Sequence, residues 1–119
     1  MFTLKLDADA CGTSGRGEIC LPPRALVERF GPPKPFDNYK ISGEYVFVDG
    51  DGNVYTLYDW KSTSLYNDGE WPNFPPAFPT PEELWAGAEA FEFHIGAGPD
   101  ADVAAFARWL AGEVARVTT

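Results

Sequence analysis

The sequence predicts one α+β domain over residues 1–119, built from a small, mainly antiparallel sheet of four strands with a C-terminal helix packed on one face. The first observation is a pair of segments, residues 39–48 and 54–60, that are rich in β-branched and aromatic residues and are joined by the turn-forming run Asp49–Asn53. The second is an apolar residue at every third or fourth position between residues 103 and 117, which is one stripe of an amphipathic helix. A chain of 119 residues with 45% hydrophobic residues can bury a single core, so no second domain is expected.

The residue pattern of the N-terminal part of the chain, residues 2–31, predicts a strand, a loop and a helix. Residues 2–6 alternate between apolar and polar side chains, which is the pattern of a short strand with one buried face. Residues 7–17 are polar and glycine-rich, so we expect a loop there. Pro22 and Pro23 favour the first turn of a helix, and Gly31 is suited to its C-terminal end.

The C-terminal part adds a short helix, a strand and the final helix. Thr80 and Glu83 have the spacing of a capping box, which predicts a helix that ends near Gly87. Residues 91–95 alternate strictly between apolar and polar side chains and predict the last strand. Asp100 or a close neighbour is expected to cap the final helix.

A proline-rich and aromatic segment, residues 64–80, predicts no regular element. Five prolines lie between residues 72 and 81, and each removes a backbone donor. We expect a stiff loop whose aromatic side chains are partly exposed and anchor a partner, because a rigid loop loses little entropy on binding. The predicted partner-binding residues are these aromatic anchors, Trp71, Phe74 and Phe78, and the acidic residues that follow them, Glu82, Glu83 and Glu89.

The charge balance narrows the class of partner. Nine Lys and Arg residues stand against 18 Asp and Glu, which gives a net charge of −9. Residues 62–107 contain eight acidic residues and no Lys or Arg, so we expect one negative face. This charge disfavours direct nucleic-acid binding and favours a protein with a basic surface. No apolar run is long enough to span a membrane, and the N-terminus lacks the pattern of a signal peptide, so a cytoplasmic location is expected.

Residues 59–66 form an unusual polar segment at the exit of a predicted strand. The segment combines an acid, an indole, a lysine and three hydroxyls within eight residues. The hydroxyls and the lysine could hold a phosphate or carboxylate while the indole stacks on the ligand, which would suit a small nucleotide-like molecule. Another interpretation is a structural turn in which Asp59 or Ser62 hydrogen bonds to the backbone. The residues of this alternative ligand site are Asp59, Trp60, Lys61, Ser62, Thr63 and His94.

Signals for catalysis and for metal binding are weak. The sequence has no nucleophile elbow and no Ser–His–Asp pattern, so we expect no enzyme and no catalytic residues. Cys11 and Cys20 are expected to be free thiols in a reducing compartment, with a disulfide as the alternative. A zinc site needs four ligands, and only His94 could join the cysteines without a carboxylate, so neither a metal nor another cofactor is expected.

Four segments resemble a group of small uncharacterised proteins from bacteriophages and prophages. The resemblance covers roughly residues 20–110. It is centred on the motif Tyr-Thr-Leu-Tyr-Asp-Trp-Lys at residues 55–61, with further matches at residues 30–31, 39–47 and 93–96. It implies a phage or mobile-element origin inside a bacterial cell, and it implies no catalytic residues.

The expected function follows from the acidic charge, the aromatic loop and this resemblance. We expect a small acidic protein that binds a host macromolecule and inhibits or redirects it, for instance to counter a host defence. Exposed aromatic residues would also favour a homodimer when no partner is present. The alternative function is the binding or sequestering of a small ligand.

Overall fold

The computed structural model describes residues 2–10, 12–35, 41–60 and 80–118. Its order of strands and helices is that of the predicted α+β class. The start of the predicted strand 39–48 and the whole segment 61–79 lie outside the described residues. In chain order the elements are β1 (Thr3–Leu4), β2 (Ser14–Leu21), α1 (Pro23–Phe30), β3 (Glu44–Val48), β4 (Val54–Tyr58), α2 (Pro81–Trp85), β5 (Phe91–Ala97) and α3 (Val103–Thr118).

The sheet has five antiparallel strands in the order β1-β3-β4-β5-β2, so the prediction of four strands is wrong. The additional strand is β2, whose first residues were expected to belong to a loop. It pairs with β5 along its whole length, from Ser14 opposite Ala97 to Leu21 opposite Phe91. The pairing continues through the glycine-rich start of β2 because a register shift between Gly15 and Gly17 accommodates one extra residue in this strand.

The predicted hairpin of β3 and β4 is confirmed. The strands pair from Glu44 opposite Tyr58 to Val48 opposite Val54. The carboxylate of Asp49 organises the connecting turn, because it accepts hydrogen bonds from the backbone N–H of Asn53 and from the hydroxyl of Tyr55, both within 3.0 Å. Such side-chain-to-backbone bonds are the reason that Asp is common in turns.

The C-terminal helix packs on one face of the sheet, as predicted. Phe106 and Leu110 of α3 are fully buried, and the ring of Phe106 stacks on that of Tyr55 at 4.8 Å between centroids. The cap is a close neighbour of Asp100, as expected: Asp102 accepts a hydrogen bond from Ala105 N–H at 3.0 Å. We call the side of the sheet that meets α3 the helix face and the opposite side the outer face.

The short helix α2 begins with the predicted capping box. The hydroxyl of Thr80 accepts from the backbone N–H of Glu83 at 3.2 Å, and the Glu83 carboxylate accepts from the N–H of Thr80 at 2.9 Å. The helix ends at Trp85, whose ring stacks on Phe93 of the sheet at 5.4 Å. This contact fixes α2 against the helix face. No helix in the described part of the chain is long and apolar enough to cross a membrane.

Candidate functional site

Asp59 organises the chain where β4 ends and β3 begins. Its side chain is fully buried and accepts hydrogen bonds from the backbone N–H groups of Ser42, at 2.9 Å, and Gly43, at 3.0 Å. It also accepts from the Ser42 hydroxyl at 2.8 Å, and that hydroxyl in turn accepts from the indole N–H of Trp85 at 3.1 Å. Both carboxylate oxygens are thus engaged by the chain itself, which fits the interpretation in which Asp59 hydrogen bonds to the backbone rather than to a ligand.

An open groove of about 620 Å³ lies between α1 and α2. Its walls are mainly apolar, and proline contributes much of them. The backbone passes closely behind the wall at Gly43, where an added Cβ would lie 2.8 Å from Pro33 Cγ and 3.0 Å from Trp85 Cζ2. The apolar lining consists of Val27, Pro32, Pro33, Pro35, Pro81 and Trp85, together with the exposed Ala86.

Carboxylates lie at the edge of this groove. Glu28 and Glu82 line it, and Glu28 forms an exposed ion pair with Arg24 at 3.1 Å. Glu83 is the exposed neighbour of Glu82. Hydrogen bonds with the backbone N–H and with the side chain of Thr80 hold the pKa of Glu83 below its ordinary value. This carboxylate therefore stays ionised at neutral pH. The groove therefore combines an apolar wall with two carboxylates, Glu28 and Glu82, and one guanidinium, that of Arg24, so the charged groups that line it carry a small negative excess.

The acidic residues of the predicted partner-binding set lie at this end of the molecule. Glu82, Glu83 and Glu89 are all exposed on α2 and the turn that precedes β5. Other acidic residues of the same stretch, Asp100 and Asp102, follow the far end of β5, about 20 Å away along a seven-residue strand. The exposed acidic residues of this stretch in the described ranges are therefore spread along the length of β5 rather than gathered in one cluster. The aromatic anchors Trp71, Phe74 and Phe78 lie outside the described residues.

On the outer face, four side chains form a straight row across four strands. Glu44 of β3 lies opposite Tyr58 of β4, which lies opposite His94 of β5, which lies opposite Glu18 of β2. The rings of Tyr58 and His94 stack at 5.9 Å, and the ring of Trp60 lies edge-on to Tyr58 at 6.4 Å. The structure thus brings together two residues of the predicted ligand set, Trp60 and His94, around Tyr58. The other members of that set divide between the buried Asp59 and the residues outside the described ranges, Lys61, Ser62 and Thr63.

A second cavity, of about 170 Å³, opens on the outer face beside this row. It exists because Gly15 and Gly96 face each other on β2 and β5 and leave the sheet without side chains at that level. An added Cβ at Gly96 would lie 2.5 Å from the hydroxyl oxygen of Thr56 and 3.6 Å from Tyr58 Cε1, so the glycine shapes the floor. Glu44 and Trp60 also line the cavity.

Glu44 is the one buried carboxylate on the wall of this cavity within the described residues. The residue is 4% exposed, and its Oε1 accepts no hydrogen bond. The nearest cation is Lys34, whose Nζ lies 3.5 Å from that oxygen, beyond ordinary hydrogen-bond length. Burial raises the pKa of Glu44 above its ordinary value, and the charge of Lys34 offsets part of that shift. Sequence reasoning missed Glu44, although an acid in the strand Glu44–Val48, which is otherwise wholly apolar, is a recognisable signal.

The predictions about the cysteines and about metal binding can be compared with the structure only for the described residues. The Cys20 thiol is free and exposed on β2, whereas Cys11 lies outside the described residues. Among the residues that the structure describes, no three His, Cys, Asp or Glu side chains are grouped closely enough to hold a metal ion.

No protein-family model matches the chain, and no curated protein sequence matches it significantly. The resemblance to phage proteins stays a prediction, and the functional argument rests on the groove and the outer face.

Proposed function

We propose that this chain is a small acidic protein-binding domain, and that its groove between α1 and α2 receives a segment of a partner protein that carries both basic and apolar side chains. The observation that supports this most is the combination in one groove of a proline and tryptophan wall with carboxylates at its edge. Apolar concave surfaces with a few polar groups are the common form of binding sites.

The groove is held in shape before any partner arrives. Trp85 is fixed on one side by the ring of Phe93 and on the other by its hydrogen bond to Ser42, which Asp59 holds in place. The prolines of the opposite wall have a fixed φ angle and little freedom to lose. A groove of this kind binds with a small entropic penalty, which increases affinity without additional contacts.

The charge at the edge selects the partner. Glu82 is exposed and lines the groove, Glu83 is exposed next to it in the chain, and the whole chain carries a net charge of −9. Lys or Arg side chains that flank an apolar segment would meet these carboxylates, and the long-range field would speed their approach. The phage resemblance would make the partner a protein of the bacterial host, which binding at this groove would inhibit or redirect.

A peptide titration tests the proposal. The probe is a fluorescent peptide in which lysine alternates with leucine and proline, and its control replaces each lysine by glutamine. The lysine peptide should bind the wild-type chain saturably and the glutamine peptide should bind more weakly, because only the former pairs with the groove edge.

The variant Ala86→Trp places an indole in the groove from an exposed position at the end of α2. It should abolish peptide binding, whereas the matched variant Ala111→Trp on the exposed side of α3 should not. Equal binding by both variants would show that the peptide uses another surface. A wild-type chain that sediments as a dimer, and an Ala86→Trp variant that sediments as a monomer, would mean that a second copy fills the groove, which also contradicts the proposal.

A further inference from the structure

We propose that the cavity on the outer face is a binding site for an organic cation, an alkylammonium or alkylguanidinium group, with Glu44 as its counter-ion. This site is separate from the groove, and the proposal does not depend on the function assigned to the groove. It rests on the buried carboxylate, on the aromatic walls and on the space left by two glycines.

The carboxylate gives the site its sign. Glu44 is almost completely buried, it is one of the residues that line the cavity, and its Oε1 is a buried atom without a hydrogen-bond partner. A buried acceptor without a donor is unfavourable, and a charged one more so, which makes an unsatisfied atom of this kind a marker for a missing partner. Lys34 forms an ion pair with that oxygen at 3.5 Å, which is longer than an ordinary hydrogen bond and so does not fully satisfy it. An ammonium or guanidinium group in the cavity would donate the bond that is missing.

The other walls suit the same chemistry. Tyr58 and Trp60 present aromatic rings to the cavity, and aromatic faces attract organic cations. The Thr56 hydroxyl and the backbone near Ser14 add polar atoms at the floor. None of the described lining residues is cationic, which disfavours the anionic, nucleotide-like ligand that the sequence suggested for this region.

The space fits a small group rather than a large molecule. Its volume of about 170 Å³ is several times the roughly 30 Å³ that one water molecule occupies in the liquid, which is enough for a guanidinium or ammonium head with a short alkyl stem. The same head group can belong to a free small molecule or to an Arg or Lys side chain of a protein. The shared chemistry is the cation, and the probes below separate the two sources.

Amide NMR shifts of Gly15 and Gly96, which line the cavity, provide the readout. Methylguanidinium represents the free small cation, the tripeptide Gly-Arg-Gly represents a protein side chain, and urea is the planar but uncharged control. At least one of the two cations should shift both glycine signals saturably, whereas urea should not. Tighter binding of methylguanidinium would identify a free small molecule as the ligand, and tighter binding of the tripeptide would identify a side chain.

Two variants assign the site. Glu44→Gln keeps the shape and removes the charge, and it should weaken binding roughly tenfold to a hundredfold, which is the range for loss of a charged hydrogen bond. Its matched control is Glu18→Gln, an exposed carboxylate in the same row of the outer face, which should bind like the wild type.

Gly15→Val fills the cavity from a position with no atom within 4 Å of its added Cβ, so it should fold and lose binding while Glu44 remains. Its control is Gly98→Val, a glycine with equally open surroundings outside the cavity.

Three outcomes would overturn the proposal. The first is that neither cation produces a saturable shift of the two glycine signals. The second is that Gly15→Val binds as well as the wild type, which keeps the inference testable even if Glu44→Gln does not fold. The third is that urea binds as tightly as methylguanidinium, because recognition would then not involve charge.

Discussion

At the scale of single residues, two aspartates serve the backbone of the same hairpin in different ways. Asp49 closes the turn between β3 and β4, and its role could be predicted because the donors lie within a few residues of it. Asp59 holds Ser42 and Gly43, which precede it by 17 and 16 residues. The sequence left two interpretations of Asp59 open, since nothing local shows which distant N–H groups a carboxylate will meet.

Removal of the Asp59 carboxylate should destabilise the fold. Asp59→Ala should lower the free energy of unfolding by about 2–4 kcal/mol, because the N–H groups of Ser42 and Gly43 lose their acceptor next to a buried void. Urea denaturation provides the measurement. The control is Asp51→Ala in the exposed turn, which should change stability by less than about 0.5 kcal/mol. Equal midpoints for the two variants would contradict this role of Asp59.

Asp49 should make stability depend on acidity. Burial alone would raise the pKa of Asp49, but hydrogen bonds from Asn53, Tyr55 and Asp51 outweigh it and hold the pKa below the ordinary 3.8. A carboxyl group whose pKa is lowered by folding stabilises the protein above its unfolded pKa, and this contribution is lost as the pH falls through the folded pKa. The stability difference between wild type and Asp49→Asn should therefore be largest near neutral pH and shrink below about pH 4. Urea denaturation midpoints of both proteins, measured from pH 7 to pH 2, provide the comparison. A stability difference that stays constant over this range would show that the charge of Asp49 does not contribute to stability.

At the scale of elements, local patterns predicted the hairpin, the capping box of α2 and the buried stripe of α3, because each depends on neighbours in sequence. The strand β2 could not be predicted in the same way. Its first residues, Ser14 to Gly17, contain two glycines and favour a loop, and its pairing partner β5 lies at least 70 residues away. Non-local pairing overrides weak local propensity, as is common for strands.

Hydrogen exchange should rank the strands by their position. β4 pairs on both sides, with β3 and β5, whereas β2 lies at one edge of the sheet. The amides of Tyr55 to Tyr58 should therefore exchange among the slowest in the chain, and those of Ser14 to Gly17 faster. Residue-resolved deuterium exchange gives the comparison. Protection at the start of β2 equal to that of β4 would contradict the strand order.

The stripe of α3 should carry much of the stability. Phe106→Ala should reduce the free energy of unfolding by about 3–5 kcal/mol, because the ring is fully buried and stacks on Tyr55. Ala111→Ser, on the exposed side of the same helix, controls for changes in helix propensity and should change stability by less than about 0.5 kcal/mol. Thermal and urea unfolding should agree. An unchanged midpoint for Phe106→Ala would mean that this side chain contributes nothing to the core.

At the scale of the whole molecule, Glu82, Glu83 and Glu89 lie at one end of β5, and Asp100 and Asp102 lie at the other. The sequence could predict their number but not this division, since β5 separates them in space. It also pointed to the region of Trp60 and His94, yet missed the carboxylate of Glu44 and the two glycines that form the cavity beside them. Those groups come from four strands that are distant in sequence.

Binding at the groove should depend on where charge is removed, not only on how much. The pair of changes Glu82→Gln and Glu83→Gln should slow association of the lysine peptide and flatten its salt dependence, because exposed charges act mainly on encounter. Glutamine can also close a capping box, so α2 should persist. The control pair, Asp51→Asn and Asp100→Asn, removes the same charge at the opposite end. Stopped-flow association rates that fall equally for both pairs would mean that only net charge matters.

The two borders of the sheet have a consequence for how any partner can attach. The outer side of β3 is already occupied along its length. β1 pairs with the second half of β3. At the first residue of β3, Glu44 exchanges two backbone hydrogen bonds, at 3.1 and 2.8 Å, with Lys34, which stands between two prolines in the chain. The border at β2 is interrupted by its register shift and carries Arg16, whose guanidinium is tied to the carbonyl of Gly98. Within the described residues, neither border offers a long, regular run of main-chain groups for an incoming strand. We therefore expect recognition to proceed through side chains, and we expect the same arrangement to hinder edge-to-edge polymerisation.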